Sequence, residues 1–120
     1  MSLVSFPPVI AAAGRDSHWR HGRNSLSIAR LLLQDGRPEA LIDTACSTAV
    51  EAACRAALAQ AGLFYDGDVH RALARLAAPR DLWEPDGIRP GAATLAAAER
   101  ALGWISGYLR SEAPEHSWGF

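Results

Sequence analysis

Hydrophobic residues recur along this chain at helical spacing, in stretches separated by short runs of Gly, Pro and Asp. No segment alternates apolar and polar residues as a half-buried strand does. The first stretch predicts a helix from Asp16 or Ser17, either of which can cap it, to Asp35. At about 100° per residue, Trp19, Leu26, Ile28, Ala29, Leu32 and Leu33 fall on one broad side and Arg20, Arg23, Ser27, Arg30 and Gln34 on the other. Gly36 supplies a left-handed stop, and Pro38 suits the first turn of a second helix.

That second helix runs from Glu39 to Ala61 without a Pro or Gly and is rich in Ala and Leu. Ile42, Ala45, Ala49, Ala52, Ala56 and Ala59 share one face, small enough for close helix approach. Asp43, Ser47, Glu51 and Arg55 form a polar stripe in which Glu51 and Arg55 can pair. Beyond Gly62 the chain turns at Asp66-Gly67, and Asp68 caps a short third helix with Val69, Leu73 and Leu76 on its buried side. Residues 80–91 hold two Pro and two Gly and form a long connection anchored by Leu82, Trp83 and Ile88. A last helix from Gly91 to Arg110 carries the stripe Leu95, Ala98, Leu102, Ile105, Leu109. The pattern predicts an all-α protein, an antiparallel bundle of four or five helices. It forms one domain over 1–120, with 1–15 and 111–120 loosely held unless Trp118 and Phe120 dock.

Composition narrows the class. Apolar residues make up 49 % of 120, enough for a core without disulfides. Net charge is −1, which argues against the broad positive footprint of a nucleic-acid binder. The charge is nonetheless divided. Residues 1–37 hold five Arg against Asp16 and Asp35, a balance of +3, and the remainder holds seven Arg against eleven acids, a balance of −4. Such a dipole suits docking onto a partner or a self-complementary dimer. All twelve basic residues are Arg, a usage typical of high-GC bacterial genomes that lowers the functional weight of any single one. Cys46 and Cys54, about 12 Å apart along one helix, cannot bridge and suit core packing in a reducing cytoplasm. No apolar run reaches the length of a membrane span, and the N-terminus makes a poor signal peptide.

Candidate chemistry is sparse. Phosphate-binding glycine loops, GxSxG, CxxC and Glu-x-x-His sets are missing from the sequence. His18 and His21 stand i, i+3, with Asp16 as the nearest further ligand; a structural metal wants four, so no metal and no cofactor is expected. His21 lies near the apolar arc, as a partly buried histidine would, and His70, two residues after a cap, is placed to hydrogen-bond locally or to fix the preceding loop. Arg23 and Arg30 could grip phosphate oxygens or simply be solvated.

The stretch Ser25–Leu76 resembles a HEPN domain. It carries SLSIARLLLQDGR on a first helix, an Ala-rich second helix in which Glu51 precedes Arg55, and, after a loop, VHRALARL opening on His70. The resemblance implies a helical bundle that often dimerises. Some members are metal-independent ribonucleases using Arg-x(4–6)-His. Others bind a substrate or nucleotide as the partner of a small nucleotidyltransferase, often in toxin–antitoxin pairs. Two Arg-x5-His pairs are present. Arg15 and His21 lie too early for the family motif, and Arg110 and His116 lie in the right half but with Pro114 between them. The ribonuclease reading would make His116 the acid or base and Arg110 the stabiliser of transition-state charge, across a dimer. The reading favoured by the residues is a non-catalytic, dimeric binding module, with Glu51, Arg55, His70, Arg23 and Arg30 as candidate ligand or interface residues. A purely structural self-associating bundle is the remaining alternative.

Overall fold

The computed structural model describes residues 8–84, 91–116 and 118. Four helices follow in order: α1 (Pro8–Gln34), α2 (Glu39–Ala61), α3 (Val69–Arg75) and α4 (Gly91–Glu112). The all-helical bundle is as the pattern predicts, and α2 has the predicted limits. No helix among the described residues is long and apolar enough to cross a membrane.

The expected start of α1 needs correction. The helix begins at Pro8, eight residues ahead of the Asp16 cap. Proline is accepted in a first turn, where its missing N–H has no partner to lose, and the Ala residues behind it propagate the helix. Its end is as expected. Gly36 sits at φ 67°, with Gly36 N–H donating to Leu33 O at 3.1 Å and Arg37 N–H to Leu32 O at 3.0 Å. Gly62 closes α2 in the same way at φ 75°. The Asp68 side chain caps α3 by accepting from Arg71 N–H at 3.1 Å.

α2 is the axis of the molecule. Ten of its residues, from Ile42 to Leu58, are buried, because α1 covers one flank, α4 a second, and α3 packs at its far end. Gly22 sets the α1–α2 distance: a side chain there would meet Ala49 O and Ala53 N. Arg30, late in α1, pairs with Glu99 early in α4, and Arg15, in the first half of α1, meets His116 beyond the end of α4, so α4 also runs antiparallel to α1. The α4 stripe Leu95, Ala98, Leu102, Ile105 and Leu109 is buried throughout. On α1 the burial is narrower than the wheel suggests. Trp19, Leu26 and Ala29 are enclosed, whereas Ile28 is 52 % and Leu33 37 % exposed, since only the arc towards α2 and α4 is covered.

Candidate binding surface

Three places collect the chemistry-bearing side chains. The first is a clamp that ties the C-terminal segment to α1. Arg15, only 6 % exposed, donates from Nε to Asp16 at 2.9 Å and from Nη1 to Gln60 Oε1 at 2.7 Å. Its Nη2 donates to His116 Nε2 at 3.1 Å. A guanidinium has no acceptor, so the imidazole accepts at Nε2 and carries its proton on Nδ1. The Arg15 guanidinium also lies 4.9 Å above the Trp118 ring, and Trp118 meets Trp19 edge-on with centroids 6.3 Å apart. Trp118 Nε1–H donates to Ala113 O at 3.0 Å. Its carbonyl accepts from Ser106 Oγ at 3.0 Å, and the same hydroxyl accepts from Arg110 Nη2 at 2.8 Å.

The tail is therefore docked at Trp118, and Phe120 lies outside the described residues. Of the Arg110–His116 pair, Arg110 is hydrogen-bonded to Ser106 and His116 to Arg15. The expectation that Arg15 would stand in a loose N-terminus is corrected by the same contacts. Sequence reasoning did not group Arg15, Gln60 and Trp19, because what gathers them is the distant C-terminal segment at His116 and Trp118.

The second place is the polar side of α2. A shallow groove of about 310 Å³ is lined by Asp43, Thr44, Ser47, Thr48 and Glu51. Asp43 Oδ1 is shielded from water and takes no hydrogen bond among the described residues. Glu51 accepts from Arg55 Nη2 at 3.3 Å, the predicted i, i+4 pair, and from the Tyr65 hydroxyl at 3.3 Å. Burial, then the neighbouring Glu51 carboxylate, pushes the Tyr65 phenol up to about 12, so it stays a donor. The Arg55 guanidinium caps the Tyr65 ring at 4.8 Å. His18 faces this end from α1, and burial, helped by the Arg55 and His21 charges, lowers its pKa. His21 itself is exposed rather than partly buried, because the helix turns it away from both neighbours.

The third place is the hairpin tip. Ile28, Leu31 and Leu41 are each at least half exposed. Of the other candidates, Arg23 is exposed, and Arg30 is spent on a bidentate contact to Glu99 Oε2 at 2.8 and 3.0 Å. His70 donates from Nε2 to Trp83 O at 2.7 Å, so it fixes the segment after α3 rather than the loop before it. Among the described residues no three His, Cys, Asp or Glu side chains gather as metal ligands would.

No protein-family model, no curated protein and no solved structure matches this chain. The HEPN resemblance therefore rests on the quoted residues alone.

Proposed function

We propose that this chain is a non-catalytic helical binding module, HEPN-like in kind, that works by docking a protein partner on the outer side of the α1–α2 hairpin. The observation that carries the reading is the row of exposed large apolar side chains at Ile28, Leu31 and Leu41. Beside it runs the hydroxyl-lined groove on α2. Apolar side chains so placed lose nothing to the fold when a partner covers them, and each contributes about 1.5–3 kcal/mol when fully buried. The partner implied by the resemblance is a small nucleotidyltransferase, the two acting as a toxin–antitoxin pair, with a nucleotide or RNA as the ultimate ligand.

The arrangement of the titratable groups supports a module rather than a catalyst. His116 accepts from a guanidinium that is itself held by Asp16 and Gln60. Arg110 is engaged by Ser106. Each is thus held by a partner within the fold, which suits a positioning role better than that of a general acid with its charge stabiliser. The test is RNA cleavage by the purified protein in a chelator-containing buffer, with His116→Ala beside the wild type. We expect no cleavage by either. Cleavage present in the wild type and lost in His116→Ala would replace this reading with the ribonuclease.

A further inference from the structure

The C-terminal segment is held to the bundle by two sets of contacts that differ in what they ask of a proton. Its bonds to α4 and the turn beyond it involve no group that titrates near neutrality. Ser106 Oγ donates to Trp118 O, Trp118 Nε1–H donates to Ala113 O, and Arg110, always charged, donates to Ser106. Its contacts to α1 pass through Arg15 and Trp19. Arg15 donates to His116 Nε2 at 3.1 Å and lies over the Trp118 ring, which Trp19 meets edge-on. The guanidinium is not free to follow a change at His116. It is buried, and Asp16 and the Gln60 side chain of α2 fix it in place.

We propose that this arrangement is a proton-operated strap: uptake of a proton by His116 frees the C-terminal segment from α1 and leaves it attached to α4. A guanidinium only donates, so its bond to His116 needs the lone pair on Nε2, and an imidazolium, which donates from both nitrogens, has none to give. Protonation and the Arg15 bond are therefore mutually exclusive, and a protonated ring left in place would set two cations against each other. A second partner stands beside the first. Glu115 Oε1 lies 3.9 Å from the same Nε2, and the His116 side chain is 44 % exposed. Arg15 and Glu115 are the side-chain partners of this ring among the described residues. Of the other groups that the packed elements bring to the clamp, Asp16 of α1 is bound to Arg15, α2 contributes the uncharged Gln60, and Arg110 of α4 is bound to Ser106. Histidine is the side chain whose ordinary titration falls between about pH 5 and 8. The strap is thus closed in the neutral state of His116 and opens as the pH falls through that range. Opening uncovers Trp19 and Trp118, both buried in the closed form, beside the Arg15 guanidinium.

The experiment is proton NMR of the full chain from about pH 7.5 to about pH 5. It follows the His116 ring, the nuclear Overhauser contact between the Trp19 and Trp118 rings, and the Trp118 indole N–H. The chains compared are His116→Gln, Glu115→Gln and one with neither change, all carrying His18→Gln so that the other buried histidine is silent, and circular dichroism checks that the helices persist. The Trp19–Trp118 contact is expected to weaken severalfold at the midpoint at which the His116 ring titrates, while the Trp118 indole N–H, bonded to Ala113, stays protected. Glu115→Gln removes the acceptor that receives the imidazolium and is expected to move the midpoint down by about half a pH unit. His116→Gln has no proton to gain and is expected to show no transition. A Trp19–Trp118 contact that persists while His116 titrates overturns the strap, and so does the same transition in His116→Gln. Loss of the Trp118–Ala113 bond together with the α1 contact overturns the claim that the proton acts on the α1 side alone. A midpoint unmoved in Glu115→Gln overturns the exchange of partners.

Discussion

At Gly22 two opposing effects meet on one residue. Replacing a helical glycine by alanine ordinarily stabilises by about 0.5–1 kcal/mol, through a less free unfolded chain and a better helix former. Here the new methyl would sit 3.1 Å from Ala49 O and 3.3 Å from Ala53 N. Both are backbone atoms of a helix buried on two flanks, so neither can turn aside, and overpacking of this kind costs about 1–3 kcal/mol. The packing cost wins: Gly22→Ala should lower the melting temperature. Gly14, with nothing within 4 Å of its would-be Cβ, should respond in the opposite direction when changed to Ala. Thermal denaturation of the two variants beside the wild type reads the difference. If Gly22→Ala melts higher than the wild type, the close approach of α1 to α2 is not the constraint described. Sequence inspection distinguishes Gly36 and Gly62, which follow periodic segments and stop them, from the other glycines. It places Gly22 inside the first helix and Gly14 ahead of it, but it does not show the close approach at Gly22, which only the neighbouring helix creates.

Between elements, the α1–α2 contact carries a pH dependence. His18 on α1 is held below its usual 6.5 by burial first, then by Arg55 on α2 and by His21. The folded protein thus binds a proton at this site less readily than the unfolded chain, and stability falls as pH drops below 6.5. Solvent still reaches the ring, so the loss amounts to less than about 1 kcal/mol. Urea unfolding of the wild type and His18→Gln at neutral pH and at about pH 5 checks it: the wild type should lose more stability than the variant. Equal losses would show that the proton is accepted in the fold without penalty. The same contact marks where sequence reading succeeds and where it stops. The limits of α2, the Asp68 cap, the Glu51–Arg55 pair and the buried stripe of α4 follow from spacing and capping within one segment, and all four are present. The start of α1 and the exposure of Ile28 do not, because Ala-rich sequence before Asp16 is compatible with helix or coil. A wheel gives a face, but not how much of it a neighbour covers.

At the scale of the molecule, α2 makes the bundle a single cooperative unit, and its two thiols can report this. Cys46 and Cys54 are fully buried, two turns apart. Burial, with Asp43 and Glu99 adding to it, raises the Cys46 thiol to about 11. Burial and then Glu51 raise that of Cys54 to about 12. A thiol reagent needs both access and the thiolate, and the native state provides neither. Because α1, α3 and α4 all pack on α2, no single helix can lift and expose both positions. The tail adds to this closure, since Trp118 holds α4 to α1 through Trp19 and Arg15. Modification at about pH 8 should therefore proceed only through unfolding of the whole domain, with one rate for the two cysteines and the denaturant dependence of global unfolding. A faster rate at Cys46 would mean that the hairpin tip opens separately. That end carries the exposed Leu31 and Leu41 and lies farthest from the Arg15–Trp118 clamp, so it is the end a docking partner would quieten. Repeating the labelling with Leu31→Glu separates the two causes. A tip stabilised by association should label faster in that variant, whereas a tip held by the fold alone should label at the wild-type rate.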